Sequence, residues 1–159
     1  MDDLRLETMT DEQYAAYAAY ACENYARTSP HYRDIPLERS LPEVKRDFAK
    51  RLHAGPATPG FFLLAILLRE NGTERQIGFF DIGRNSADPT KAYIWNVELD
   101  ASVRGRGFGK RALALAEDYL RARDITRVGL NVFADNAVAR KLYEGAGFAV
   151  TQMNMEKRL

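Results

Sequence analysis

The segment Val97–Lys110, which reads VELDASVRGRGFGK, carries the most specific pattern of the chain. It starts as the end of an apolar, strand-like run and leads into residues 108–122, whose apolar side chains recur at helical spacing. Three glycines stand at alternate positions around the helix start: Gly105, Gly107 and Gly109. Three cations lie among them: Arg104, Arg106 and Lys110. Because bare backbone at a helix N-terminus presents N–H groups and the positive end of the dipole, the segment predicts a phosphate-binding turn.

The glycine spacing excludes two common phosphate-binding motifs. The P-loop pattern requires Ser or Thr directly after its lysine, but Arg111 follows Lys110. The dinucleotide fingerprint requires GxGxxG, whereas the glycines here fall as GxGxG. A glycine-rich turn that only permits tight packing remains an alternative to an anion site.

A second pattern follows after one predicted helix and one predicted strand. Residues 136–148 read NAVARKLYEGAGF. This stretch resembles the C-terminal signature of the GNAT superfamily of N-acetyltransferases, and Arg104-x-x-Gly107-x-Gly109 resembles the acetyl-CoA motif of that superfamily. The two motifs stand in the expected order and span about a third of the chain, from Val97 to Phe148.

The periodicity of the remaining sequence predicts a mixed α/β fold. Thr10–Gln13 and Ser40–Glu43 are capping boxes that open two helices, and Asn71-Gly72 predicts a hairpin turn. Strands are predicted at 4–7, 61–68, 76–82, 92–99, 128–133 and 148–155, and helices at 108–122 and 136–146. The resemblance implies a GNAT-type fold, with a central, mostly antiparallel sheet, a splayed parallel strand pair and about four flanking helices.

Length and composition restrict the class of protein. The chain has 159 residues, which predicts one domain over 1–159, and a net charge of +1 that gives no general attraction to nucleic acid or anionic membranes. The single cysteine, Cys22, excludes an internal disulfide, and with two histidines a metal site is not expected. The longest apolar run has eight residues and the N-terminus is acidic, so we expect a cytoplasmic protein without a membrane span.

The family resemblance implies acetyl-CoA as cosubstrate and assigns residues to it. The turn would hold the pyrophosphate through Arg104, Gly105, Arg106, Gly107, Gly109 and Lys110. The pantetheine amides would pair with the backbone of Val97 and Leu99, where the strand splays from its neighbour at 128–133. In the second motif, Asn136, Ala139 and Tyr143 are expected at the cofactor, and Asn136 is also a favoured helix N-cap.

The same resemblance implies direct attack of a primary amine on the thioester. Tyr143 is expected to protonate the leaving thiolate, because a phenol and a thiol have comparable basicity. The Leu99 N–H is expected to meet the carbonyl oxygen. Many family members place a glutamate near the start of the motif strand, but Ala92–Asn96 contains no carboxylate. Glu98 is therefore the candidate general base, acting through a water; a surface glutamate paired with an arginine is the alternative.

Several choices stay open from sequence. The acceptor is a small-molecule or peptide amine, and the protein is a monomer or a homodimer. The helical spacing of the tyrosines in the first helix favours core packing over an acceptor pocket. Tyr25 and the 29–37 loop remain candidates for the acceptor site. The competing function is a non-catalytic acyl-CoA-binding module, favoured by the missing strand carboxylate. A nucleic-acid binder is disfavoured by the net charge and by the few aromatic residues near the turn.

Overall fold

A computed structural model describes residues 3–159 as five strands and four α-helices around one sheet. The elements are β1 (Asp3–Thr8), α1 (Asp11–Thr28), α2 (Leu37–Arg51), β2 (Phe61–Glu70), β3 (Thr73–Arg84), β4 (Lys91–Leu99), α3 (Phe108–Arg121), β5 (Arg127–Leu130) and α4 (Ala137–Gly145). Short 3₁₀ turns, Pro30–Tyr32, Gly55–Ala57 and Ala101–Val103, connect them. The mixed α/β prediction is confirmed.

The strands follow one another across the sheet in chain order, from β1 to β5. Neighbours from β1 to β4 are antiparallel. The last pair, β4 and β5, is parallel, and helix α3 makes the crossover that parallel pairing requires. This is the predicted antiparallel sheet with one parallel pair.

The two faces of the sheet are covered by different helices. Helices α3 and α4 pack on the face that carries Phe80, Ile82 and Ile94. Helices α1 and α2 pack on the opposite face, with Tyr17 and Leu63 in the second core. Because β2 is buried on both faces, its residues read as a continuous apolar run rather than an alternating one.

The hairpin between β2 and β3 forms at the predicted residues. Asn71 has φ 52° and Gly72 has φ 78°, which are the left-handed conformations of a two-residue type I′ turn. The Thr10 capping box of α1 also forms as predicted.

The predicted start of α2 at Ser40 is wrong. The helix begins one turn earlier, at Leu37, with Pro36 at its N-cap, and the buried Ser40 hydroxyl donates to the Leu37 carbonyl at 3.5 Å. Pro42 lies inside the helix. The earlier start packs Leu37 against Tyr32 and Val44, so tertiary burial outweighs the local capping pattern.

Two predicted strands also differ from the structure. Strand β5 ends at Leu130 rather than Phe133, and no strand forms at 148–155. In that tail Val150 and Met153 are exposed, so the apolar side chains of the alternating pattern pack on no surface. A strand needs both a paired neighbour and an apolar surface beneath it, and neither requirement can be read from alternation alone.

Candidate active site

Strands β4 and β5 separate halfway along β4. Their parallel pairing runs from Lys91 with Arg127 to Ile94 with Leu130, while β4 continues to Leu99. The separation begins at a β-bulge, because Asp81 faces Asn96 while Ile82 faces Ile94, which leaves Trp95 as the extra residue. The predicted splay is present.

Beyond the bulge, β4 presents backbone N–H and C=O groups to this gap. The Asp100 N–H donates to the Ile77 carbonyl at 2.8 Å, and a Cβ on Gly78 would collide with the Glu98 carbonyl oxygen. Glu98 and Asp100 therefore direct their backbone groups toward β3. The backbone N–H and C=O groups of successive residues alternate in direction along a strand. The groups of Val97 and Leu99 therefore point away from β3, into the gap beyond the end of β5.

The turn after β4 has the backbone conformation that glycine permits. Gly105 has φ 75° and Gly107 has φ 79°, and a Cβ built on either would meet nothing within 4 Å. Gly107 is the N-cap of α3, and within residues 3–159 no side chain caps the first turn of that helix. The helix N-terminus therefore presents bare N–H groups beside open space, as an anion site requires.

Position 109 requires a glycine for a different reason, which is close packing between elements. A Cβ there would lie 3.2 Å from Leu142 of α4 and 3.7 Å from Leu99 of β4. The glycine thus allows α3 to pack closely against α4 and the end of β4. This contact brings the two motifs that are separate in sequence to one place.

Two of the three predicted phosphate-binding cations are paired with carboxylates. Arg104 lies 3.6 Å from Glu98 of β4. Arg106 donates to Glu70 of β2 and stacks at 4.8 Å over the Phe108 ring. Lys110 is exposed on the first turn of α3. A phosphate at this turn would compete with surface carboxylates for the two arginines.

Tyr143 lies on α4 against the core that Val97 and Leu99 also contact. Its ring lies 5.7 Å from Phe148, and burial raises the pKa of its hydroxyl. The hydroxyl is therefore held in its protonated form and is able to donate.

Asn136 caps α4, as its residue type predicts. Its Oδ1 accepts from the Ala139 N–H at 3.1 Å. This bond satisfies one of the N-terminal donors of the helix that carries Tyr143. Contact of Asn136 and Ala139 with a cofactor remains a prediction.

Glu98 faces α1, away from the side chains of Val97 and Leu99. Its Oε2 accepts from the Tyr20 hydroxyl at 2.6 Å, and its other oxygen lies 3.6 Å from Arg104. These three residues line part of a cavity of about 440 Å³ beside the turn. Partial burial and this hydrogen bond raise the pKa of Tyr20 to about 12, so Tyr20 is a donor throughout the physiological range.

The bulge of β4 lies at Trp95, three residues before Glu98. Glu98 therefore keeps the ordinary alternation of a strand and points to the face opposite its two neighbours. The surface pairing with an arginine that sequence left open is present.

Sequence reasoning missed a buried ionic group under the bulge. Asp81 is fully buried and accepts hydrogen bonds from Arg51 at 2.9 and 2.6 Å and from the Tyr17 hydroxyl at 2.6 Å. Burial and the neighbouring carboxylate raise the pKa of Tyr17. The Arg51 guanidinium also lies 4.7 Å over the Trp95 ring. The available signal was an aspartate inside the apolar run Phe79–Ile82, because a carboxylate buried in a strand requires a cation.

Within residues 3–159 there is no group of three or more His, Cys, Asp or Glu side chains that could hold a metal ion. In the same range no helix is long and apolar enough to cross a membrane.

The mixed sheet thus opens at its parallel pair beside a helix start without a side-chain cap, which combines a free strand edge with an anion site. The family model described as Acetyltransferase (GNAT) family matches residues 21–148. The chain belongs to this family, and it is an acyltransferase.

Three proteins illustrate the similarity. YycN of Bacillus subtilis, an uncharacterized N-acetyltransferase, is 32% identical over 98% of this chain and 99% of its own, and its crystal structure superposes with a TM-score of 0.87 over 99% of both chains. The mycothiol acetyltransferase of Kocuria rhizophila is 30% identical over 86% of this chain, which spans 56% of that protein. The PaiA N-acetyltransferase of Thermoplasma acidophilum, solved in complex with coenzyme A, shares the fold at 19% identity, with a TM-score of 0.68 over 96% of this chain and 93% of its own.

Proposed function

We propose that this protein transfers the acetyl group of acetyl-CoA to a primary amine by direct attack. The observation that carries the proposal is the gap between β4 and β5, which leads from the backbone of Val97 and Leu99 to the uncapped start of α3. A peptide-like arm can pair with the open strand edge while a phosphate binds the helix N-terminus. The N-acetyltransferase names of its relatives support nitrogen as the acceptor atom.

The cofactor would be held mainly by backbone. The N–H groups between Gly105 and Gly109 would bind the pyrophosphate, with Arg104, Arg106 and Lys110 adding charge. The pantetheine arm would lie along Val97 and Leu99, and the first turn of α4, with Asn136 and Ala139, would border it. Acetyl-CoA supplies the acyl group as a thioester, which an amine can attack without a covalent enzyme intermediate.

Tyr143 and Leu99 would act on the two sides of the scissile bond. The Leu99 N–H would donate to the carbonyl oxygen as negative charge develops there. As the new N–C bond forms and the C–S bond breaks, the Tyr143 hydroxyl would give its proton to the departing thiolate. The position of Tyr143 on α4, against the same core as Val97 and Leu99, supports this role.

Glu98 would accept the proton that the amine must lose, through a water in the cavity that it lines. The hydrogen bond from Tyr20 orients the carboxylate toward this cavity. Asn131, the first residue after β5, would orient the amine without taking its proton. The buried, free thiol of Cys22 fits the reducing cytoplasm that we propose as the compartment.

The proposal is tested by calorimetry with acetyl-CoA and by the release of CoA thiol across a panel of primary amines. We expect saturable binding of acetyl-CoA and steady thiol release with at least one amine class. Tight binding without release for any amine would contradict catalysis and would favour the competing function, a non-catalytic acyl-CoA-binding module.

A further inference from the structure

Two exposed aromatic side chains of β4, Tyr93 and Trp95, form a surface that the proposed reaction does not use, which we call the aromatic platform. Trp95 is 53% exposed and Tyr93 36%, values that are high for such large rings. The rings of Tyr93 and Trp95 are 5.1 Å apart in an edge-on arrangement. Burial, together with the neighbouring Tyr25 of α1, raises the pKa of Tyr93.

The rings of the platform are fixed although they are exposed. A Cβ on Gly83 of β3 would lie 2.8 Å from the indole nitrogen of Trp95, and one on Gly129 of β5 would lie 3.8 Å from the Tyr93 ring. The missing side chain of Gly83 leaves the space that the Trp95 ring occupies, whereas Gly129 lies in ordinary contact distance of the Tyr93 ring. Arg51, held by the buried Asp81, covers Trp95 from α2. A rigid, exposed aromatic surface of this kind is typical of a binding site.

The platform stands at the mouth of the gap between β4 and β5. Trp95 is the first residue of β4 after the last residue that pairs with β5. It lies on the face of α1 and α2, opposite the wall that carries Tyr143. An acceptor that reaches the thioester from this face would pass over Trp95 and Tyr93.

The charges around the platform restrict what it can bind. The charged group in contact with Trp95 is the Arg51 guanidinium, which already occupies its π-system. The strand from Ala92 to Val97 contains no carboxylate, and Glu98 is engaged by Tyr20 and Arg104. Arg51 is neutralised by Asp81 and leaves no carboxylate at the platform for a second cation, whereas an apolar or aromatic group can pack on the exposed ring surface.

We propose that the aromatic platform binds the carbon skeleton of the acceptor, and that the acceptor is a primary amine on an aromatic or large aliphatic group without a second positive charge. This inference rests on the proposed acetyl transfer. The stacked skeleton would direct the amino nitrogen into the gap, where the N–C bond forms, the C–S bond breaks, and one proton leaves the amine while another reaches the thiolate.

The test compares phenethylamine with ethylamine and putrescine as acceptors for the parent and for Trp95→Ala. We expect the parent to have the highest kcat/KM for phenethylamine, and Trp95→Ala to raise the KM for phenethylamine about 10-fold, the loss typical of an aromatic anchor. The KM for acetyl-CoA and the rate with ethylamine serve as internal controls and stay within about 2-fold. Trp95→Phe keeps a ring and should retain the preference if Trp95→Ala folds poorly.

Peptides separate the two sources of such an amine. A short peptide with an N-terminal Phe is compared with its N-terminal Gly analogue and with phenethylamine. Faster reaction of either aromatic amine than of the Gly peptide supports the platform, and the faster of the two aromatic amines identifies the source; a preference for the Gly peptide would overturn it. Faster reaction with putrescine, or equal losses for both amines in Trp95→Ala, would overturn the inference while acetyl transfer stands. No thiol release with any amine would instead contradict the proposed function.

Discussion

Burial decides the protonation of the hydroxyl that we assign to catalysis. Tyr143 packs in the α4 wall, where a phenolate would be poorly solvated, and its pKa is therefore raised. The same burial gives the ring its position, so the hydroxyl can be removed without changing the packing.

The variant Tyr143→Phe should lower kcat while the KM for acetyl-CoA stays nearly unchanged. A general acid contributes typically 10²–10⁴-fold, and partial replacement by water leaves a loss of at least ~10-fold. Steady-state kinetics measures kcat for both proteins, and a pre-steady-state experiment establishes that the chemical step limits the rate. An unchanged kcat under those conditions would remove Tyr143 from the mechanism.

Glu98 is assigned from its position between α1 and the turn, and its test depends on pH. Glu98→Gln keeps the shape but cannot take a proton, so kcat/KM should fall at neutral pH and recover partly at high pH, where more of the amine is free. Tyr20, with a pKa of about 12, does not titrate in the range of the assay and cannot cause the change. An unchanged pH–rate profile would make Glu98 a surface partner of Arg104 and Tyr20.

At the scale of elements, the site is the junction of a strand that leaves its neighbour and a helix that begins without a cap. The bulge at Trp95 starts the separation, and the positive φ of Gly107 ends the turn at the first residue of α3. Neither feature stabilises the sheet. Both expose backbone groups that a ligand can satisfy.

The variant Gly107→Val should weaken acetyl-CoA binding by more than its effect on folding explains. Gly60 offers a matched control, since its φ of 78° and open surroundings are those of Gly107, but it lies in the loop before β2. Backbone strain should cost each variant about 1–3 kcal/mol in the free energy of unfolding. Calorimetry should show weakened binding for Gly107→Val alone; parent-like affinity would place the cofactor elsewhere.

At the scale of the whole molecule, the α1 and α2 layer is joined to the sheet by one buried ionic group. Asp81 of β3 accepts hydrogen bonds from Tyr17 of α1 and from Arg51 at the end of α2. Burial acts to lower the pKa of Arg51, but the hydrogen bonds that Arg51 donates to Asp81 and the attraction between the two charges outweigh it and leave the pKa raised. The same arginine supports Trp95, so the stability of this layer and the shape of the acceptor face are coupled.

Removal of one partner of this group should be strongly destabilising. Asp81→Ala leaves a guanidinium without its counter-charge in a mostly buried position, and we expect a loss of about 3–5 kcal/mol in the free energy of unfolding. Glu117→Ala, which breaks the ion pair with Arg121 on the surface of α3, is the control and should cost less than about 1 kcal/mol. Urea denaturation measures both, and equal losses would contradict the central role of Asp81.

The sequence by itself determined the features that depend on local backbone chemistry. Glycine and asparagine determine the turn at 71–72 and the turn at 105–107, because few other residues adopt a positive φ, and the two motifs determined the family. The α1 cap and the Asn136 cap also follow from residues within one turn of each other.

Only the tertiary structure decided which side chains meet. The start of α2, the end of β5 and the missing strand at 148–155 depend on burial against distant residues. The same is true of the pairing of Asp81 with Arg51, the hydrogen bond from Tyr20 to Glu98, and the position of the bulge. The physical reason is that a local pattern sets backbone preference, whereas the partner of a charge or a ring is chosen by packing between elements far apart in the chain.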